Sequence, residues 1–251
     1  MQLDHQDRLA VILVRARNPS NIGAVARAMH DLGFGHLRIV NEYPVPFAAA
    51  KSAVDAGSVL AAAREYASVA EAVADCTHVY GTTAVGERVI EHPLYELPIA
   101  ATKISQELAE SSNRVALLFG SEKTGLSNDE LSYCHALLTI PMNSHAERHL
   151  SMNLGQAAAV CLYAISQMNR IAASEETEPA ASAGDLERLL GLLREVLDEC
   201  GYTRRHPANS REANMRRLVL RMGLTASDAP VWTGILRQLM HGLQDKKHIP
   251  Q

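Results

Sequence analysis

The sequence predicts an α/β protein: a mostly parallel sheet with helices on both faces, followed by a small all-helical extension. Three observations carry this. Runs of strand length (Leu9–Val14, LAVILV, and Val115–Phe119, VALLF, both unbroken and apolar, and His36–Val40, HLRIV, apolar but for His36 and Arg38) alternate with stretches of helical spacing, the pattern of a sheet buried on both faces. The first two runs and the helix between them fit into residues 9–40, a βαβ unit whose crossover should be right-handed. Residues 172–184 (AASEETEPAASAG) hold no large apolar side chain and read as a linker, after which only helical spacing recurs.

Each element follows from local chemistry. Leu9–Val14 ends in a polar segment where Asn18 is placed to cap a helix with Pro19 at its first position, with Ser20 as the competing cap. That helix puts Ile22, Val25, Ala26, Met29 and Leu32 on one face, and Gly33 stops it. Residues 44–75 read as helical and Ala-rich, most clearly over 48–54 and 69–74. Residues 77–80 make a short strand ending at Gly81, and 85–98, with Gly86, Pro93 and Pro98, a long loop. Residues 99–108 predict a helix, 128–134 a short helix capped by Ser127, 137–140 the last strand, and 151–168 a long helix of small residues. Beyond the linker, Leu186, Leu189, Leu190, Leu193, Val196 and Leu197 follow helical spacing, with Asp185 as the expected cap and Gly201 as the stop. Residues 211–222 and 230–243 predict two further amphipathic helices. The expected domains are thus a body over 1–171, a linker over 172–184 and a helical extension over 185–251.

At 251 residues, 47% hydrophobic and 21% charged, the composition is that of an ordinary globular chain. No apolar run is long enough to span a bilayer, and the N-terminal MQLDHQDR lacks the apolar core of a signal peptide, so a cytoplasmic protein without a membrane partner is expected. Cys76, Cys134, Cys161 and Cys200 are widely spaced and form no CxxC pair, which predicts reduced thiols. Charge is uneven. Residues 185–251 hold 11 Lys and Arg against 8 Asp and Glu, whereas residues 1–184 hold 13 against 20. A basic tail on an acidic body hints at a nucleic-acid partner, though a solvated helix surface would look the same.

Strand ends that release into small-residue loops are where open α/β sheets place ligands, so the loops after Gly81, at Gly120 and at Pro141 are expected to hold a cofactor. Gly120-Ser-Glu-Lys-Thr-Gly125 approaches a phosphate-binding P-loop, but Leu126 stands where the lysine must be. A P-loop phosphotransferase is therefore disfavoured, and Glu122 at a strand end suits a hydrogen-bond donor better than a phosphate. His145 and His149 have the spacing of a helical zinc pair, but Ala146 replaces the metalloprotease glutamate and no third ligand is near, so no metal is expected. Arg27 sits beside the apolar stripe of the first helix; it either snorkels outward or meets substrate at the strand ends. Ser151 could serve as a helix cap, and the small residues Gly155, Ala157, Ala158 and Ala159 would admit close approach of a helix or a second subunit.

Taken together and in order, three segments resemble the motifs of the SpoU branch of the SPOUT RNA methyltransferases. They are Asn18-Pro-Ser-Asn-Ile-Gly-Ala-Val-Ala-Arg27-Ala-Met29, Leu118-Phe-Gly120-Ser-Glu122-Lys-Thr-Gly-Leu126, and Ile140-Pro-Met142 followed by Ser151-Met-Asn153-Leu154. The resemblance covers roughly residues 9–170, and the helical extension is further similar to that of the TrmJ group. One departure stands out: the segment 143–149 is longer than usual and Met152 replaces a leucine.

The resemblance implies a C-terminal trefoil knot in the α/β body and a homodimer with the active site at the subunit interface. The implied cofactor is S-adenosylmethionine, released as S-adenosylhomocysteine, and the substrate is tRNA, methylated on the ribose 2′-oxygen at position 32 of the anticodon loop. By position in the motifs, Thr82, Thr83, Ala84, Gly120, Ile140, Leu150, Ser151 and Met152 would hold the cofactor. Arg27, Ser151 and Asn153 would be catalytic, and Asn18, Asn21 and Glu122 would bind substrate. Arg204, Arg205, Arg216 and Arg217 of the tail, with Arg211 and Arg221, would contact tRNA phosphates. Because arginine stays protonated in proteins, Arg27 is expected to orient the ribose and stabilise developing oxyanion charge more readily than to act as a base. The rival readings are a 2′-O-methyltransferase for another tRNA or rRNA position, and a non-catalytic RNA-binding protein of the same fold.

Overall fold

The computed structural model describes residues 5–41, 57–84, 90–142, 152–168 and 178–245. Its strands are β1 (Leu9–Val14), β2 (His36–Val40), β3 (Arg64–Tyr66), β4 (His78–Thr82), β5 (Leu94–Glu96), β6 (Val115–Phe119) and β7 (Ala136–Thr139). Among the described residues they form one sheet in the order β3-β2-β1-β6-β4-β7-β5, with every pair parallel. The body helices are α1 (Pro19–Asp31), α2 (Gly57–Ala62), α3 (Val69–Val73), α4 (Leu97–Ala109), α5 (Asn128–Leu131) and α6 (Leu154–Met168). The tail holds α7 (Ala183–Glu199), α8 (Tyr202–Arg205), α9 (Glu212–Arg221) and α10 (Asp228–Asp245).

The unbroken apolar runs are explained by burial on both faces. Along β1, Leu9, Val11 and Leu13 join a core with α1, α4 and α6, while Ile12 and Val14 face a second core with α3 and α5. A parallel strand of this kind has no solvent face on which a polar residue would be tolerated. From β1 the chain steps outward to β2 and β3, then returns to place β4 beyond β6. The strand order therefore reverses beside β1 and β6, which opens a crevice at their C-terminal ends.

Local signals hold where a cap or a glycine dictated them. Asn18 accepts a hydrogen bond from the Ser20 N–H at 3.0 Å, Pro19 opens α1, and Gly33 ends it at φ 82°. Ser127 and Glu130 form a reciprocal capping box on α5. Other boundaries are corrected. The expected loop over 85–98 contains β5, and α4 begins at Leu97 with Pro98 in its first turn. The strand expected over 77–80 runs instead from His78 to Thr82, and β3 is an edge strand with an exposed Arg64-Glu65 pair that gave no apolar signal. Helix α6 starts at Leu154 rather than at residue 151. The helix expected over 48–54 lies outside the described residues, as do residues 143–151.

The second half of the expected linker, 178–184, is held by backbone hydrogen bonds. The Ala181 and Ala226 N–H groups donate to the Leu224 and Pro179 carbonyls, and the Ala183 and Gly184 N–H groups donate to the Cys76 and Ala74 carbonyls at 2.6 and 2.9 Å. Helix α7 starts two residues before Asp185 and is capped by Ser182, whose Oγ accepts the Asp185 N–H at 3.2 Å. Asp185 occupies the third helical position, where a carboxylate favours the helix N-terminus without capping it.

The tail has its own core, centred on Leu186, Leu189, Leu190, Met215 and Val219, and it is docked to the body by Arg216. This guanidinium is 7% exposed, bonds Glu187 twice at 2.9 Å and Glu212 at 2.6 Å, donates to Ser132 Oγ at 3.0 Å, and stacks 4.0 Å from the Tyr133 ring. Arg216→Ala is expected to cost about 2 kcal/mol, below the full cost of breaking a buried pair because Glu187 and Glu212 remain half-exposed. Urea unfolding would measure it; a loss under about 0.5 kcal/mol, as for a surface residue, would refute the docking role.

A second buried polar cluster lies at the opposite end of the sheet from the crevice. Burial raises the Glu107 carboxyl to about 7, with Tyr80 Oη donating to it at 2.7 Å. Burial also lowers neighbouring His78 to about 4 and His135 to about 3, so both imidazoles are neutral in the fold. A carboxyl that titrates above its ordinary 4.5 weakens the folded state as pH rises from 4.5 through about 7. Glu107→Gln removes that term, so from pH 5 to pH 8 the variant should gain about 2 kcal/mol on the wild type in urea unfolding. An unchanged difference at the two pH values would contradict the assignment.

Candidate active site

The crevice is lined by the loops after β1, β4, β6 and β7. Thr82 Oγ1 donates to the Leu118 carbonyl at 2.9 Å, and the Thr83 N–H donates to the Leu138 carbonyl at 3.0 Å. These bonds stitch the end of β4 to β6 on one side and to β7 on the other. Thr82, Thr83 and Ala84 therefore lie between Gly120 and Ile140. Ile140, Met142 and Met152 are half-buried, and Ala84 is exposed. Partly exposed apolar side chains beside strand-end peptides suit a ligand with a heteroaromatic base and an aliphatic chain. This lining thus fits the adenine and the methionine chain of S-adenosylmethionine, a sulfonium. Leu150 and Ser151 lie outside the described residues.

The Gly120 loop explains its own glycines. A Cβ on Gly120 would stand 2.1 Å from the Gly125 carbonyl carbon and 2.2 Å from the Leu126 nitrogen. Gly125 meets nothing within 4 Å but adopts φ 66°, a left-handed conformation that a side chain would strain. The Gly125 N–H donates to the Ser121 carbonyl at 2.8 Å, closing a tight turn from which Glu122, Lys123 and Thr124 project into solvent. The near-match to a P-loop is thus a turn closed on itself, not a phosphate cradle.

Side chains from the three sequence motifs meet at this turn. Asn21 Nδ2 donates to Glu122 Oε1 at 2.8 Å, and Asn153 Nδ2 donates to Asn21 Oδ1 at 3.1 Å. Asn153 Oδ1 in turn accepts the Gly155 and Gln156 N–H groups at 2.9 and 3.4 Å, so Asn153 caps α6. The caps leave each amide one consistent orientation. Gly155 is needed where α6 crosses α1, because a Cβ there would lie 2.6 Å from the Ala24 Cβ.

Two residues at the crevice gave no functional signal in the sequence: Arg15 and Glu130. Arg15 Nε and Nη2 bond both Glu130 oxygens at 2.7 and 2.9 Å, and Nη2 also donates to the Gly125 carbonyl at 3.0 Å. Burial alone would raise the Glu130 carboxyl; the Arg15 guanidinium and the Ser127 N–H hold it below its ordinary value instead. The capping-box spacing of Ser127 and Glu130 is readable in the sequence, but the partnership with Arg15 depends on β1 lying beside β6.

Arg27 lies on the outer side of α1, 54% exposed, with an i,i+4 contact to Asp31 at 3.7 Å. It lies six positions after Asn21, which is roughly 9 Å along the axis and about 120° around it. Within one chain, then, Arg27 points away from the Asn21–Glu122 contact. Of the tail arginines, Arg204, Arg205, Arg211 and Arg221 are exposed, although Arg205 Nη2 also caps the Cys200 carbonyl at 3.0 Å. Arg216 and Arg217, expected to contact phosphates, have partners within the chain. The first is consumed in the tail–body joint, and the second is 15% exposed and paired with Glu91 and Asn214.

The thiols of Cys76 and Cys161 are free and buried, pushed up to about 12 by burial. Among the described residues no His, Cys, Asp and Glu cluster could hold a metal ion; His145 and His149 fall outside them. No helix among the described residues is long and apolar enough to cross a membrane. A cavity of about 320 Å³ lies away from the strand ends, lined by His92, Asn128, Asp129, Arg211, Asn214 and Arg217. It shares no residue with the crevice, so its volume does not make it the active site.

Comparison with known proteins shows the family. The chain is 32% identical over 239 residues to the tRNA (cytidine/uridine-2′-O-)-methyltransferase TrmJ of Salmonella typhimurium, covering 92% of this chain and 96% of that protein. It is 30% identical over 251 residues to the TrmJ of Yersinia pestis, covering 97% and 94%. The crystal structure of TrmJ from Z. mobilis ZM4 matches with a TM-score of 0.77 at 34% identity, covering 92% of this chain and 98% of that one. The model of the SpoU rRNA methylase family matches residues 8–163, which hold all three motifs and the crevice they build, and the chain belongs to that family.

Proposed function

We propose that this protein is an S-adenosylmethionine-dependent tRNA ribose 2′-O-methyltransferase that acts as a homodimer at position 32 of the anticodon loop, on cytidine or uridine. The observation that carries the reading is the Asn153–Asn21–Glu122 chain at the end of β6. It joins one side chain from each of three distant segments beside the Gly120 turn. The relatives named above act on cytidine and uridine in tRNA and align over nearly the whole chain, tail included, which favours tRNA over rRNA. A cytoplasmic location accords with such a substrate.

S-adenosylmethionine, when bound, supplies an activated methyl group. The chain's own residues have three tasks. Thr82, Thr83, Gly120, Ile140 and Met152, with Leu150 and Ser151, bind the cofactor. Glu122, held by Asn21, and the exposed Arg204, Arg205 and Arg211 orient the RNA. Arg27 places a fixed positive charge where negative charge develops on the 2′-oxygen as that oxygen takes the methyl group and its proton passes to solvent. Two features support a dimer: the outward aim of Arg27, and the exposed Val160 and Tyr163 on α6 with Ile99 on α4. Both are what a site completed by a second copy requires.

Purified protein, labelled S-adenosylmethionine and unmodified tRNA should yield a labelled 2′-O-methylpyrimidine that maps to position 32. Label at another nucleotide would move the target site. No label, with S-adenosylhomocysteine still bound, would favour the non-catalytic RNA-binding reading.

A further inference from the structure

Arg15 belongs to none of the three motifs, yet both its backbone and its side chain are constrained at the crevice. It directly follows β1 and has φ 56°, the one non-glycine residue with positive φ among the described residues. An L side chain is strained in this conformation, which persists where surrounding contacts over-determine it. Those contacts are present. The Arg15 N–H donates to the Val40 carbonyl at 2.8 Å, which continues the β1–β2 pairing one residue past the strand. The left-handed turn then sends the side chain the other way, over the end of β6. There the guanidinium grips both oxygens of Glu130 and the carbonyl of Gly125.

Each contact fixes a different part of the Gly120 turn. Gly125 is the residue whose backbone lies against Gly120. Glu130 also accepts the Ser127 N–H at 2.6 Å, so the same carboxylate sets the start of α5. Leu126, between them, is buried under the sheet. The turn is thus held at its tip by Asn21 on Glu122 and at its base by Arg15 on Gly125 and Glu130. Without the base contacts the turn would keep its internal Ser121–Gly125 bond but lose its fixed height above β6. A binding surface made of backbone would then be correctly placed only part of the time, and apparent affinity falls in proportion to that fraction.

We infer that Arg15 is a positioning residue for cofactor binding: its bidentate grip on Glu130 and its bond to the Gly125 carbonyl hold the Gly120–Leu126 turn in its binding-competent place. This rests on the reading that the turn binds S-adenosylmethionine. The test uses the full chain with S-adenosylhomocysteine as probe, in two arms. Arg15→Gly is the main variant, because glycine adopts φ 56° without strain and removes only the side chain. Calorimetry should show a Kd about tenfold weaker, and hydrogen exchange should speed about tenfold at the amides of 121–126 while β1 and α1 keep wild-type protection. Arg15→Lys, with one charge and no fork, should recover only part of the affinity. Glu130→Gln should reproduce the Arg15→Gly effect, and it carries the test if Arg15→Gly does not fold. Wild-type affinity together with wild-type exchange at 121–126 in either variant would overturn the inference. Failure of the wild type to bind the probe would instead refute the cofactor reading, and the exchange arm would still report on Arg15.

Discussion

Arg27→Ala is expected to lower methyl transfer by about 10³-fold in kcat, some 4 kcal/mol of barrier, while leaving cofactor affinity and stability nearly unchanged. The size follows from removing one fixed charge from a site where an alkoxide-like oxygen develops. The selectivity follows from position. Arg27 is more than half exposed and its Asp31 contact is at 3.7 Å, so neither packing nor ion pairing should register beyond about 0.5 kcal/mol. Arg27→Lys keeps the charge but loses the planar fork and should fall between the two. Full activity in Arg27→Ala would remove the residue from the mechanism. Because Arg27 points away from the Asn21–Glu122 contact of its own chain, complementation gives a second test. Co-expressing Arg27→Ala with Gly120→Ala should restore about a quarter of wild-type activity if each site draws Arg27 from one protomer and Gly120 from its partner. No recovery in mixed dimers would place both residues in the same chain's site.

Gly120→Ala should be the most damaging single methyl group in the crevice. The added Cβ meets backbone atoms of Gly125 and Leu126 at 2.1 and 2.2 Å, not the flexible end of a side chain. The turn must open or leave the sheet, which should cost about 3 kcal/mol and weaken S-adenosylhomocysteine binding by at least about 100-fold. Gly125→Ala is the matched control. Its Cβ has open space, and only φ 66° is penalised, so it should cost about 1–2 kcal/mol. Thermal unfolding and calorimetry on the pair separate the two effects. Equal, small losses in both variants would mean that the turn adapts and that its closeness to Gly120 has no role.

The outcome for the tail was mixed. Its helices and their apolar faces were legible, because spacing of Leu186, Leu189, Leu190, Met215 and Val219 is a local property of the chain. Its attachment was not. A charge count treats Arg216 and Arg204 alike, yet one is buried against Glu187, Glu212, Ser132 and Tyr133 while the other is exposed. Composition suggested a loose linker up to residue 184, and that too was decided by contact, since Ala183 and Gly184 bond to Cys76 and Ala74.

The division runs the same way through the active site. By itself the sequence determined what depends on neighbours along the chain. It placed the two-faced strands, the Asn18 and Ser127 caps and the stop at Gly33, and the order of its motifs was enough to suggest a family. Tertiary structure alone decided what depends on strand order. Only because β6 lies between β1 and β4 does Asn21 reach Glu122 and Asn153, and only there can Arg15, turned into a left-handed conformation, close on Glu130. Hydrogen bonds act over about 3 Å, so residues a hundred positions apart share a site only after sheet pairing has brought their strand ends together.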